Sequence, residues 1–315
     1  MKLSDRIRGA VWGQFVGDAA CLGTHWIYDL DEMATRYPIL QGFETPIAGH
    51  YHDGKQSGDL THYGDAALLV LESVVATGHF DARDFGRRFV ELAGSAEYHG
   101  YRDHATKGTL ALYQANQGPD FDFQQGAADE QPATVTRLTP VVISHLQDPN
   151  WSLAVTALTQ VCQNSHRALA YAHAHARLLR RLLLGTSLVE ACEETVADLR
   201  QGYPLDVEAA ERMALALAGA DRSVQESTIG FGQSCPLINS FPAALQAALR
   251  YRDDFAAAVL EAMKAGGDNA GRCAMIGAWL GASLGVEAIP AEWRSKLSAR
   301  ERIVRLVETL VAKGS

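Results

Sequence analysis

Glycines at 277, 281 and 285 recur at every fourth position through an apolar stretch that opens with Gly266-Gly267-Asp268. A glycine inside a helix costs about 1 kcal/mol relative to alanine, so a run at helical spacing needs a compensating gain. Close approach of a second backbone supplies one, because a residue without a Cβ leaves room for it. A second stripe of the same period, Gly9, Gly13 and Gly17, lies in the N-terminal segment, where residues 3–21 read as a helix. The two segments are therefore expected to pack on each other at short distance. That contact would bring Asp18 near the start or flank of the later helix. Ala270, Ala274, Ala278 and Ala282 extend its small-residue face.

The turn in front of the late helix carries a signal of its own. Gly266 and Gly267 free the backbone to turn sharply, and Asp268 stands where an N-cap carboxylate accepts from first-turn amides. A comparable turn, Ser57-Gly58-Asp59-Leu60-Thr61-His62-Tyr63-Gly64-Asp65, opens the apolar helical segment 66–75, with Thr61 or Asp65 as its cap. Helix N-termini attract anions through free amides and the helix dipole, so paired ones can frame a phosphate. After the first helix, Gly23-Thr24-His25-Trp26-Ile27-Tyr28-Asp29 crowds aromatic and ionisable groups together. This marks His25, Trp26 and Asp29 as pocket candidates, with core packing of Trp26 and Tyr28 as the alternative. Residues 31–61 lose all periodicity among Pro38, Gly42, Pro46, Gly49, Gly54 and Gly58. So long a stretch without structure reads as a functional loop or lid.

Helical patterns continue over 85–96, 105–115, 151–162, 167–184, 188–199, 207–218, 241–250, 255–265 and 299–312, and no segment alternates like a strand. The expectation is an all-α fold in one domain, 1–315. Residues 118–131 read as an acidic, Gln-rich exposed loop. His166 reads as capping the loop before its helix. His173 and His175, two apart on a helix, face different ways and do not share a metal. The net charge of −9 argues against nucleic acid, and the isolated pairs Arg87-Arg88 and Arg180-Arg181 read as solvated faces. Five scattered cysteines without a CxxC point to reduced thiols and a cytoplasmic setting. No run is apolar enough for export or a membrane span.

Taken together, residues 13–23, 58–65, Arg137-Leu138-Thr139-Pro140, Asn164-Ser165-His166 and 266–285 resemble the ADP-ribosylglycohydrolases, and within them the crystallin J1-like branch. The late block is the most specific part of the match. The resemblance implies an orthogonal all-α bundle with a cleft where the two polar turns meet. In active members that cleft holds two magnesium ions and hydrolyses the bond between ADP-ribose and a protein side chain.

This chain departs from that pattern at the metal motifs. The family's Thr-Asp-Asp-Thr aligns with Thr61-His62-Tyr63-Gly64, and its Gly-Gly-Asp-Thr-Asp-Thr with Gly266-Gly267-Asp268-Asn269-Ala270-Gly271. Magnesium wants a near-octahedral set of oxygens, so at most one weakly held ion on Asp65 and Asp268 is expected, and no binuclear pair. Arg272 is expected to supply the missing positive charge, paired with Asp268, Asp65 or both. Glycosidic cleavage needs a carboxylate for the oxocarbenium-like state and a proton donor. The candidates are Asp65, Asp268 and Asp18 for the first role and His62 or Tyr63 for the second. His25, Trp26, Asp29, Asp59, Thr61, Tyr63, Asn269 and Arg272 are the candidate substrate contacts. The reading is hydrolysis of an ADP-ribosyl or related N- or O-glycosidic bond in a degenerate metal site. Its alternatives are a non-catalytic ADP-ribose or nucleotide binder and a structural, crystallin-like protein.

Overall fold

The computed structural model describes residues 1–116 and 121–314, so part of the acidic loop expected at 118–131 lies outside the described residues. The architecture is all-α. Helix α1 (Leu3–Ala20) leads through α2 (Leu30–Arg36), α3 (His62–Thr77), α4 (Ala82–Gly94) and α5 (His104–Ala115) into the middle of the chain. There follow α6 (Thr139–Ser144), α7 (Trp151–Cys162), α8 (His166–Leu184), α9 (Leu188–Leu199), α10 (Pro204–Ala218) and α11 (Val224–Phe231). The last third comprises α12 (Leu237–Arg250), α13 (Phe255–Lys264), α14 (Asn269–Leu284), α15 (Ala291–Lys296) and α16 (Arg300–Gly314). None of the described helices is long and apolar enough to cross a membrane, and the five cysteines are free.

Helices α1 and α14 run antiparallel at the centre, their glycine stripes facing each other as expected. A Cβ placed on Gly9 would stand 2.0 Å from the carbonyl oxygen of Gly281. The same holds for Gly13 against Gly277 and for Gly17 against Cys273, each at 2.0 Å. Both helices are buried over most of their length, α1 from Gly9 to Ala20 and α14 from Asn269 to Ala282. Other helices close around the pair. His175 of α8 and Phe241 of α12 both pack on Trp279 of α14, with ring centroids 5.3 and 5.4 Å away. The Arg6 guanidinium donates to the carbonyls of Leu182 and Ala282, fastening α1 to the ends of α8 and α14. One apolar cluster runs from Ile7 to Val311.

Several expectations need correction. The stretch 31–61 is not wholly irregular: Asp29 accepts from the amides of Asp31 and Glu32 and caps α2. Ser165, not His166, caps α8. Arg180 and Arg181 are not a solvated face. Arg180 lies over the Trp151 ring and donates to Leu146, and Arg181 is paired with Glu194 and Asp198. His173 and His175 do point apart, the first to Thr156 and the second into the core.

Candidate functional site

The site grows from the contact between the exit of α1 and the turn before α14. Trp26 adopts a φ of 65°, a left-handed conformation that a bulky residue rarely takes. Its amide donates to the Gly267 carbonyl at 2.8 Å, and the Gly267 amide returns a bond to Ile27 at 2.7 Å. Gly266 and Gly267 have φ of 69° and 65°, and a Cβ on Gly267 would lie 2.3 Å from the Gln233 carbonyl. Only glycine satisfies both the dihedral and the space. Arg272 is fully buried beneath this turn and donates to the carbonyls of Gln233, Ala262 and Gly266. It braces the turn. No ion pair joins it to Asp65 or Asp268 among the described residues, which corrects the expected pairing.

Asp268 is wholly buried, and neither carboxylate oxygen makes a well-formed hydrogen bond, although the Gly271 amide and the Cys235 thiol lie close enough to favour its ionised form. It occupies the N-cap position of α14 without capping through its side chain. The ring of His25 does that instead, Nδ1 accepting from the Ala270 amide at 3.2 Å. A neutral imidazole that accepts on Nδ1 carries its proton on Nε2, and Nε2 of His25 faces Asp268 Oδ1 at 3.6 Å. Burial pushes the Asp268 carboxyl up to about 6, against the pull of Arg272 and His62. Burial, with His52 and His62 nearby, holds His25 well below the ordinary histidine range. Asn269 ties the two segments together, its amide group donating to Thr24 and to the Met263 carbonyl.

Opposite lies the start of α3. His62 is its first residue, with the Tyr63 ring 3.9 Å from its own and Nε2 3.5 Å from Asp103 Oδ2. Burial alone would raise Asp103, but His62 and the bonds from Thr106 outweigh it and hold the carboxyl well below its usual value. Burial and Asp268 together push the Tyr63 phenol well up. The third imidazole, His52, comes from the loop between α2 and α3. It stacks on Trp26 at 5.8 Å and on His25 at 5.3 Å. Burial, then His62 and Lys55, drive its pKa down to about 2. Tyr51 and Tyr101 meet the Trp26 ring edge-on, each at 4.8 Å, and cover the cluster from outside. Cys235 accepts the Trp26 indole N–H at 3.2 Å. Its thiol is pushed up by burial and Asp268 and stays protonated.

Thus His25, Trp26, His62, Tyr63, Asp268 and Asn269 converge. The other candidates do not. Asp18 lies at the flank of α3, accepting from the Thr61 amide at 2.8 Å and from the Thr61 hydroxyl at 2.5 Å. Thr61 in turn caps α3 by accepting from the Tyr63 amide. Asp65 points away, held by Lys55 Nζ at 2.7 Å and the Tyr98 hydroxyl at 2.9 Å. With Asp59, which accepts from the Gln56 amide, it lines a separate cavity of about 360 Å³. Asp29 is exposed and serves only as the cap of α2. The sequence reading missed His52, Tyr51, Tyr101 and Asp103. The signal for the first two was the run His50-Tyr51-His52 within an otherwise featureless loop. Asp103 announced itself only as a cap before α5.

A family model described as ADP-ribosylglycohydrolase matches residues 1–315. Crystallin J1A of Tripedalia cystophora is 24% identical over 319 aligned residues, spanning 97% of this chain and 96% of its own. Crystallin J1B of the same animal is 23% identical, spanning 95% and 94%. A solved structure titled ADP-ribosylglycohydrolase-related protein complex superposes with a TM-score of 0.72 at 24% identity, over 99% of each chain. At that identity the likeness speaks for the fold.

Proposed function

The chain belongs to the ADP-ribosylglycohydrolase family, and from that premise we propose that it hydrolyses an ADP-ribosyl or related N- or O-glycosidic bond at Asp268. One observation carries this reading: a fully buried carboxylate with no well-formed hydrogen bond to either oxygen, set among aromatic rings and next to a histidine Nε2. Leaving such a group unsatisfied costs about 1–3 kcal/mol or more, so folding stability alone does not account for it. A carboxyl raised to about 6 is ionised at neutral pH. It is then basic enough to activate water or to stabilise an oxocarbenium-like state. His62 is the proton donor in this reading. His25 holds Asp268 in place, and Trp26 and Tyr63 form the apolar wall for a sugar or base. Asn269 and Arg272 support the turn and do not need to touch substrate.

The donor set does not suit the magnesium pair of the family's active members. Two of the motif carboxylates are replaced by His62 and Tyr63, a third by Ala270, and the nearest unpartnered atoms are largely imidazole nitrogens. Magnesium prefers oxygen in octahedral array. No step is therefore routed through that pair.

The loss of those motif carboxylates, together with kinship to proteins named as crystallins, favours one second reading: ADP-ribose binding without turnover. Net charge of −9 and free, scattered cysteines support a small-molecule ligand and a cytoplasmic setting. The test is chromatographic release of ADP-ribose from ADP-ribosylated arginine and serine peptides, beside calorimetric titration with ADP-ribose. Release lost in Asp268→Asn supports hydrolysis. Binding without release selects the second reading, and neither binding nor release overturns both.

A further inference from the structure

A hollow of about 630 Å³ opens where α10, α11 and α12 meet, and none of the residues that converge on Asp268 lines it. Its size falls within the range of small-molecule sites, which combine an apolar wall with a few placed polar groups.

Arg212 of α10 lines this hollow in a fixed pose. Nε donates to the Ile238 carbonyl at 3.0 Å, and the guanidinium lies over the Phe231 ring at 5.8 Å, with the Tyr171 hydroxyl also close. A guanidinium carries five N–H donors, so one carbonyl and one hydroxyl leave donors to spare. Arg222 enters from the turn between α10 and α11, folded back so that its Cδ stands 3.7 Å from a Cβ placed on Gly219. That turn is itself fastened. The fully buried Gln246 of α12 donates through Nε2 to the carbonyls of Gly219 and Arg222, at 3.1 and 3.0 Å.

Neither arginine is paired with a carboxylate among the described residues, and Glu226, which shares the rim, bridges to neither. Two positive charges thus face one negative charge, in a chain whose net charge is −9. The local field runs against the overall one and favours an anion. Planar, permanently charged guanidinium groups suit the oxygens of a carboxylate or phosphate. Phe231, Leu215 and Ala218 form the rest of the wall, and Leu215 is 54% exposed. An apolar body seated against them would remove that surface from water, which is favourable. On the α11 side a Cβ on Gly230 would meet nothing within 4 Å, so the space there is open.

We propose that this hollow binds a small organic anion, an apolar or aromatic body carrying one carboxylate or phosphate monoester. Arg212 and Arg222 hold the anionic end, and Phe231 and Leu215 cover the body. Because Arg212 is already oriented by Ile238 and Phe231, part of the ordering cost of binding is met in the free protein. The site shares no residue with the Asp268 cleft, so it goes beyond the proposed hydrolysis and does not depend on it.

Calorimetric titration of the full chain with phenyl phosphate, benzoate, inorganic phosphate and benzyl alcohol tests this. Phenyl phosphate or benzoate should bind at one site per chain, and the tighter of the two identifies the head group. Inorganic phosphate lacks the body and benzyl alcohol lacks the charge, so each should bind weaker by about tenfold or more. The affinity should fall as salt is added. Arg222→Gln, at an exposed side chain without an ion pair, should weaken binding by about tenfold. Gly230→Leu should abolish binding by filling the hollow while leaving both arginines in place, and thermal melts confirm that each variant is folded. No binding of either organic anion at millimolar concentration overturns the proposal. So does undiminished binding in both folded variants, which would put the ligand elsewhere. Benzyl alcohol binding as tightly as phenyl phosphate would overturn it as well.

Discussion

Gly13 and Gly277 meet back to back: a Cβ on Gly13 would stand 2.0 Å from the Gly277 carbonyl oxygen, and one on Gly277 1.9 Å from that of Gly13. The obstacle is backbone on both sides, so no side chain can swing away. Gly13→Ala and Gly277→Ala should each lower stability by about 3 kcal/mol or more, at or beyond the upper end of overpacking costs. Gly230 in α11 has nothing within 4 Å of such a Cβ. Gly230→Ala should leave stability unchanged or raise it by up to about 1 kcal/mol, through helix propensity and a less flexible unfolded chain. Urea midpoints of the three variants check the contrast. Equal losses in all three would refute the packing account.

This pair also shows why the scaffold was readable from sequence. Glycine at period four has a large local cost, so its presence in two segments nearly names the contact. The short helices α6, α11 and α15 carry no such constraint, and a helix of six to eight residues barely repeats its own period. Asp268 was visible as a carboxylate behind two glycines, but the group capping Ala270 is His25, 245 residues away in sequence. No local pattern contains that bond. His62 and Asp65 lie within one turn of α3 and were expected in one cleft. Lys55 and Tyr98 draw Asp65 to another face, and nothing in the spacing of those residues announces it.

Asp18 has its carboxylate buried against a single residue, Thr61, which bonds to it through both amide and hydroxyl. Asp18→Asn presents an N–H where one of those donors needs an acceptor, and should cost about 1–3 kcal/mol. Thr61→Val removes the hydroxyl bond and a cap of α3, and should cost about 1–2 kcal/mol. Because the residues share the interaction, the double variant should lose clearly less than the sum. A double-mutant cycle by urea unfolding measures this. Strict additivity would mean the contact contributes nothing.

His175 has both nitrogens unpartnered in the core beside Trp279, and burial alone drives its pKa to about 3. An unfolded histidine titrates near 6.5. Between those values the unfolded chain holds a proton that the native chain does not. The contribution of His175 to stability therefore falls as pH drops through about 6.5 and keeps falling toward 3, by about 1.4 kcal/mol per unit. His52 and His25, also depressed, act in the same sense, whereas the raised carboxyls of Asp18 and Asp268 act in the opposite one below about 6. In His175→Leu the slope between pH 6 and pH 4 should be shallower by about one proton. Urea unfolding at pH 7.5, 6, 5 and 4 gives the comparison, and parallel curves for parent and variant would disprove it.

Asp65 and Asp268 provide the sharpest comparison of roles, since both are carboxylates at the start of helices that flank the site. No well-formed hydrogen bond reaches either Asp268 oxygen, so Asp268→Asn removes a charge at little cost in structural bonds. It should keep or raise stability, because a buried charge is expensive. If Asp268 is the acting carboxylate, the same change should lower ADP-ribose release by about 100-fold or more, as loss of a general base does. Asp65 is bonded to Lys55 and Tyr98. Asp65→Asn leaves the Lys55 ammonium, itself largely buried, without its anion, and should cost about 1–3 kcal/mol of stability. Its effect on release at a temperature well below unfolding should stay within about threefold, since Asp65 faces another cavity and is asked for no part of the barrier. The two variants thus move in opposite directions on two axes, and thermal melts with release assays on one preparation read both. A collapse of release in Asp65→Asn with its fold intact would return that residue to the chemistry and displace Asp268 from its assigned role.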